Sequence, residues 1–168
     1  MALYADLPAV TVSTEVDATT AELWPLISDI NVPVQFSEEL IGVRWIEPST
    51  GPALGARFEG TNQHPLIGEW KVRCSIAVYE PDRKFGWDPG GPEAPFAKWR
   101  LSLEPTIEPN GATTMLTFSA QMGFGPSGLT AAIAARPDRE ERLVEHRLEE
   151  WRTNMRATIE GIKRLAET

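Results

Sequence analysis

The sequence predicts an α+β domain of two layers, an antiparallel sheet packed against one long terminal helix. Three observations carry that reading. Apolar residues alternate with polar ones in steps of two from Val10 to Val16, and again in several segments between Ile41 and Met122. From Val144 to Leu165 the apolar spacing changes to steps of three and four, the period of a helix. The strands are joined by hairpin-length connections, except where helices intervene, and parallel pairing would need longer crossovers. A length of 168 residues suits a single domain over 1–168 with its core at about 10–166, large enough to bury a core without cross-links.

The elements follow in order. Val10, Val12, Thr14 and Val16 face one way along the first strand. Thr19 and Glu22 have capping-box spacing, and Leu23, Trp24, Leu26, Ile27 and Ile30 suit a short amphipathic helix that Pro25 should bend or tighten. A second short helix is expected around Val34–Leu40. Ile41, Val43 and Trp45 then form one strand stripe, and Ala56, Phe58, Gly60 and Asn62 another before the loop Gln63–Gly68. The clearest stripe is Trp70, Val72, Cys74, Ile76 and Val78, opposite the mostly polar Lys71, Arg73, Ser75, Ala77 and Tyr79; one dry and one wet face typify an antiparallel sheet. Pro81-Asp82 turns the chain into a strand with Phe85 and Trp87, and Gly90, Gly91, Pro92 and Pro95 mark a loop. Trp99, Leu101 and Leu103 alternate next, Asn110-Gly111 signals a hairpin, and Leu116, Phe118, Ala120 and Met122 complete the last strand. After the apolar segment Gly123–Ala135, Pro137 and the acidic residues Asp138, Glu140 and Glu141 suit a helix start. A helix over 138–166 would be roughly 43 Å long, enough to cross the sheet.

Composition excludes several classes. Twenty-four acidic against sixteen basic residues give a net charge of −8, which repels phosphate backbones and anionic membranes, so no nucleic acid partner and no membrane insertion are expected. No apolar run approaches a bilayer span, and the longest is Ala131–Ala135. The opening residues lack a basic start and an apolar stretch, and Cys74 is the one cysteine, so a reduced, cytoplasmic setting is expected and a disulfide framework is not. Two histidines without HxxxH spacing give no metal signal, and no cofactor is expected.

A twisted sheet must curl, and one helix laid in the concavity leaves space lined by Trp, Phe, Leu and Met. The stretch GEWKVRCSIAVYEPDRKFGWD (Gly68–Asp88), then KWRLSLEP (Lys98–Pro105) and the helix motif AELWPLISDI (Ala21–Ile30), resembles the polyketide cyclase/dehydrase branch of the START-like (SRPBCC, helix-grip) superfamily, most like its small actinobacterial members. The resemblance runs from about Val10 to Ala166 and rests on the order of short motifs. It implies a curved seven-stranded antiparallel sheet gripping the C-terminal helix around an apolar cavity, with two short helices after the first strand. It implies no single activity, since members bind lipids, sterols or polyketides and some catalyse cyclisation, aromatisation or dehydration.

The expected ligand-contacting residues are Phe58, Trp70, Val72, Cys74, Trp87, Trp99, Leu101, Phe118 and Met122 on strands, and Leu129, Ile133, Leu148, Trp151 and Met155 beyond them. Trp70, Trp99 and Trp151 suit lining a cavity as well as filling one, whereas Trp24 and Trp45 read as core. Leu129–Ala135 reads equally as a lid or as a turn packed on the sheet. For proton transfer the candidates are His64, Asn62 and Arg57; a solvated loop position is the plainer reading of His64, and His146 reads as a surface residue. Cys74 lies mid-stripe and reads as a small hydrophobe. Glu38-Glu39 and Glu149-Glu150 read as solvated charges. Three functions are carried forward: binding or transport of a hydrophobic small molecule, for which the resemblance implies a lipid or polyketide; a polyketide cyclase or dehydratase, as the resemblance also implies; and an interaction module that dimerises through apolar surface.

Overall fold

The computed structural model describes residues 2–106 and 112–168. The expected Asn110-Gly111 hairpin lies outside them. The strands are β1 (Ala9–Val16), β2 (Leu40–Trp45), β3 (Arg57–His64), β4 (Gly68–Glu80), β5 (Lys84–Gly91), β6 (Ala94–Pro95), β7 (Ala97–Pro105) and β8 (Thr114–Met122). The helices are α1 (Thr20–Ile27), α2 (Gly128–Ala135) and α3 (Glu140–Glu167). Seven strands form one antiparallel path in the order β1-β8-β7-β5-β4-β3-β2, and the two-residue β6 pairs only with β5. This is the helix-grip α+β fold, a curved antiparallel sheet with the long α3 across it.

The dry stripes build the core. Val10, Val12 and Val16 of β1 pack with Leu116, Phe118, Ala120 and Met122 of β8, Leu101 and Leu103 of β7, and Val144, Trp151, Met155, Ile159 and Ile162 of α3. Leu165 continues the helix stripe in sequence but is 41% exposed. The outer edge of β1 is shielded by α3: Arg156 and Lys163 donate to the carbonyl oxygens of Ser13 and Glu15 at 3.1 and 2.8 Å. Capping an edge strand's free carbonyls with long cations blocks pairing with another chain.

Several local expectations are corrected. Thr19 caps α1 by accepting from the Glu22 amide at 3.1 Å, but the Glu22 carboxylate takes the Thr19 hydroxyl rather than its backbone N–H. The second short helix is only a 3-10 turn at Pro33–Gln35, with β2 beginning at Leu40. A bulge between Leu40 and Gly42 turns Ile41 outward, 40% exposed, and leaves Leu40 facing in. A second bulge between Ile76 and Val78 reverses the end of β4, so Tyr79 packs edge-on against Trp24 at 5.4 Å while Val78 leaves the stripe. One extra residue flips every later side chain to the other face. The loop expected at Gly90–Pro95 is a tight β5–β6 hairpin.

Candidate functional site

Between the concave sheet and α3 lies a cavity of about 150 Å³. Its floor is Phe58, Gly60 and Asn62 of β3, Trp70, Val72 and Cys74 of β4, Phe85, Trp87 and Pro89 of β5, Trp99 of β7 and Phe118 of β8. Its roof is Arg147, Trp151, Asn154, Met155 and Thr158 of α3, and one side is closed by Ile27, Asp29, Ile30, Pro33, Ser37, Glu39 and Leu40. An engineered cavity of about 150 Å³ in another protein admits benzene, so the space suits a small ring compound.

The apolar end is a connected set of rings. The indoles of Trp87 and Trp99 stack with centroids 6.2 Å apart and planes 9° apart. Trp151 descends from α3 to 4.9 Å from Trp99, and Phe58 meets Trp87 edge-on at 6.4 Å. Such contacts hold flat, polarisable walls in fixed positions. Cys74 adds no reactive group there. Burial, with the Asp88 charge behind it, pushes its thiol up to about 12, so it stays protonated at neutral pH.

The polar end is a charged cluster that joins three separate elements. Arg147 holds Glu39 with two parallel bonds, at 2.5 and 2.8 Å, and reaches Glu150 at 3.2 Å. Glu150 accepts from His64 Nε2 at 2.7 Å. The Leu66 amide donates to His64 Nδ1 at 3.1 Å, so the single ring proton sits on Nε2 and the imidazole faces Glu150 as an uncharged donor. The guanidinium also lies 5.9 Å from the Trp151 ring centroid, placing the cluster against the aromatic wall. Burial would lower the Arg147 value, but the hydrogen bonds and charges of Glu39 and Glu150 outweigh it and hold it above the usual range. Burial would likewise raise the Glu150 carboxyl, yet the His64 hydrogen bond and the Arg147 charge keep it below the usual carboxylate range.

The structure brings Phe58, Trp70, Val72, Cys74, Trp87, Trp99, Phe118, Trp151 and Met155 onto the cavity wall. Leu101 and Met122 are on the same stripes but sealed in the core, and Leu129, Ile133 and Leu148 pack against that core without reaching the cavity. Helix α2 contributes no residue to the lining and packs on α3. Of the three proton-transfer candidates, Asn62 lines the cavity, His64 is tied into the charged cluster, and Arg57 is exposed on the opposite face of β3 from Phe58. Trp24 and Trp45 are not on the lining. Sequence reasoning missed Leu40, Glu39, Arg147 and Glu150. Glu39 and Arg147 are 108 residues apart, and no local pattern signals such a pair. Among the described residues no group of three or more His, Cys, Asp or Glu converges on a metal site, and no helix is long and apolar enough to cross a membrane.

Residues 8–167 match the family described as polyketide cyclase / dehydrase and lipid transport. The chain is similar to a polyketide-cyclase-like protein from Corynebacterium glutamicum, 30% identical over 95% of this chain and 91% of that one, with a TM-score of 0.64. It is also similar to the ZhuI aromatase/cyclase from a Streptomyces species, 16% identical over 95% and 93% of the two chains, TM-score 0.65. A third similar structure is the di-domain aromatase/cyclase BexL of the BE-7585A biosynthetic pathway, 14% identical over 96% of this chain and 50% of that one, TM-score 0.66. The last two likenesses show the fold alone. None of the curated proteins matches the chain.

Proposed function

The chain belongs to the polyketide cyclase / dehydrase and lipid transport family, and from that premise we propose that it binds and carries a hydrophobic ring compound in the cavity between the sheet and α3. The observation that carries this reading is the wall of eight cavity aromatics, Phe58, Trp70, Phe85, Trp87, Phe96, Trp99, Phe118 and Trp151, around a space of about 150 Å³. Apolar concavities with a few fixed polar groups are the usual architecture of small-molecule sites. The ligand is polyketide-like rather than a long acyl chain, since the space suits a ring and no extended channel is needed to hold one.

Binding is favoured over cyclisation or dehydration by the state of the polar groups. Proton transfer needs a group within hydrogen-bond reach of the substrate and able to exchange a proton near neutral pH. The Cys74 thiol is held protonated, the His64 ring nitrogens are engaged by Glu150 and the Leu66 amide, the Glu39 carboxylate is paired with Arg147, Asp29 Oδ1 accepts from Asn31, and the Asn62 amide does not titrate. Native mass spectrometry of freshly purified protein, followed by titration with N-phenyl-1-naphthylamine and its displacement by small aromatic polyketide mimics, tests the reading. One-to-one binding that competitors reverse is expected. Failure of the probe and of every competitor to bind would overturn it.

A further inference from the structure

The charged residues on the cavity wall are Asp29, Glu39 and Arg147. Arg147 is the only cation among them, and it is already committed. Its bonds to Glu39 and Glu150 engage three of a guanidinium's five N–H donors and set one positive charge against two carboxylates. His64 brings a proton but no charge to Glu150, since its Nδ1 accepts from the Leu66 amide. His146 approaches Glu150 only from the solvent side, at 3.8 Å and 71% exposed. Counting Arg147 as +1 and Glu39 and Glu150 as −1 each, the polar end carries a net −1 before Asp29 is added. Beside it stands Asn62, whose side-chain amide has no protein partner among the described residues and offers both a donor and an acceptor.

We propose that this polar end is a charge filter, in which Glu39 occupies Arg147 so that the cavity accepts uncharged ring compounds bearing a hydroxyl or carbonyl and rejects the corresponding carboxylates. The inference rests on the binding reading above and names the ligand class for that site. A hydroxyl or carbonyl exchanges hydrogen bonds with Asn62 and the remaining Arg147 N–H groups without meeting a like charge. A carboxylate in the same place must face Glu39 across a half-buried guanidinium that it cannot claim. Glu39, at 13% side-chain exposure, is weakly screened by water, so the net negative charge of the cluster disfavours a further carboxylate inside the cavity. Glu39 is therefore the specificity-determining residue, and Arg147 serves to hold it aimed at the cavity.

The test compares two probes of one skeleton, 2-naphthol and 2-naphthoate, by isothermal titration calorimetry with the full chain near neutral pH, where the phenol is uncharged. The wild-type protein is expected to bind 2-naphthol at least about tenfold more tightly than 2-naphthoate. In Glu39→Gln, which keeps the side chain's size and an acceptor oxygen and brings the cluster from a net −1 to zero with Arg147 still bonded to Glu150, the affinity for 2-naphthoate relative to 2-naphthol should rise roughly tenfold or more. In Arg147→Met the carboxylate should remain excluded. Equal or tighter wild-type binding of 2-naphthoate would overturn the filter and leave the binding reading standing. Binding of neither probe would overturn both. The wild-type comparison needs no variant to fold, and gain of naphthoate binding by Glu39→Gln is a readout that a merely destabilised protein does not give.

Discussion

His64 Nε2 lies 2.7 Å from Glu150 Oε2, so one hydrogen bond fastens the β3–β4 hairpin to the middle of α3. The same imidazole takes the Leu66 amide on its other nitrogen, so the hairpin tip and the helix are linked through a single ring. Leu66 and Ile67 at that tip are 89% and 66% exposed and have little else to hold them.

Replacing His64 with alanine is therefore expected to loosen the tip more than the rest of the domain. Global stability should fall by about 1 kcal/mol, the usual worth of a charge-assisted bond that is partly open to solvent. The check is amide hydrogen exchange: Leu66 and Ile67 should exchange at least about tenfold faster, with core amides of β8 slowed or hastened only by the global change. Unaltered exchange at the tip would contradict the linkage.

Acid should weaken the fold through Glu150. Its carboxyl is held below its ordinary value in the folded protein, so the folded state binds this proton less readily than the unfolded chain. The stabilisation is present above that ordinary value and is lost as pH falls through the lower, folded one. Urea unfolding at a series of pH values should show a loss of stability at the acid end that Glu150→Gln flattens. An identical acid slope in the variant would contradict the assignment.

Cys74 should be inert in the native protein. With the thiol pushed up to about 12, its thiolate fraction at neutral pH falls far below that of a free cysteine. Alkylation by iodoacetamide is expected at least about a hundredfold slower folded than in denaturant. Rapid labelling of the folded chain would show the cavity wall to be more open than the structure has it.

Gly161 of α3 packs against the Phe36 ring. A methyl group at that position would sit 2.4–2.5 Å from three ring carbons. Gly161→Ala would gain about 1 kcal/mol of helix propensity, yet the overlap costs about 1–3 kcal/mol, so a net loss is expected in chemical denaturation. Pairing it with Phe36→Leu should restore part of the loss, because the planar ring is the obstacle.

The sheet, the long helix and most of the cavity wall were legible because they follow from period. Phe58, Trp70, Val72, Trp87 and Trp99 sit on alternating stripes, and Trp151 and Met155 on a helical one, so their shared face was readable. Period gives the face and not the depth, which is why Leu101 and Met122 shared the same expectation and proved to be closed core. Single-residue bulges hid Leu40 and Tyr79, since an inserted residue inverts the alternation without any marker in composition. The charged cluster was illegible for another reason. Glu39 and Glu150 each stand beside a second glutamate and read as ordinary solvated charges, and only the tertiary fold brings the segment before β2, the end of β3 and α3 together so that they meet Arg147 and His64.

The central claim, that the space between the sheet and α3 receives a ring compound, is tested most directly by the six indole N–H signals in a nitrogen-15 correlation spectrum during titration with 2-naphthol. Trp70, Trp87, Trp99 and Trp151 line the cavity and should shift in a saturable manner, while Trp24 and Trp45, which do not line it, should stay still. Shifts confined to Trp24 and Trp45, or no saturable shift in any of the six, would contradict the account.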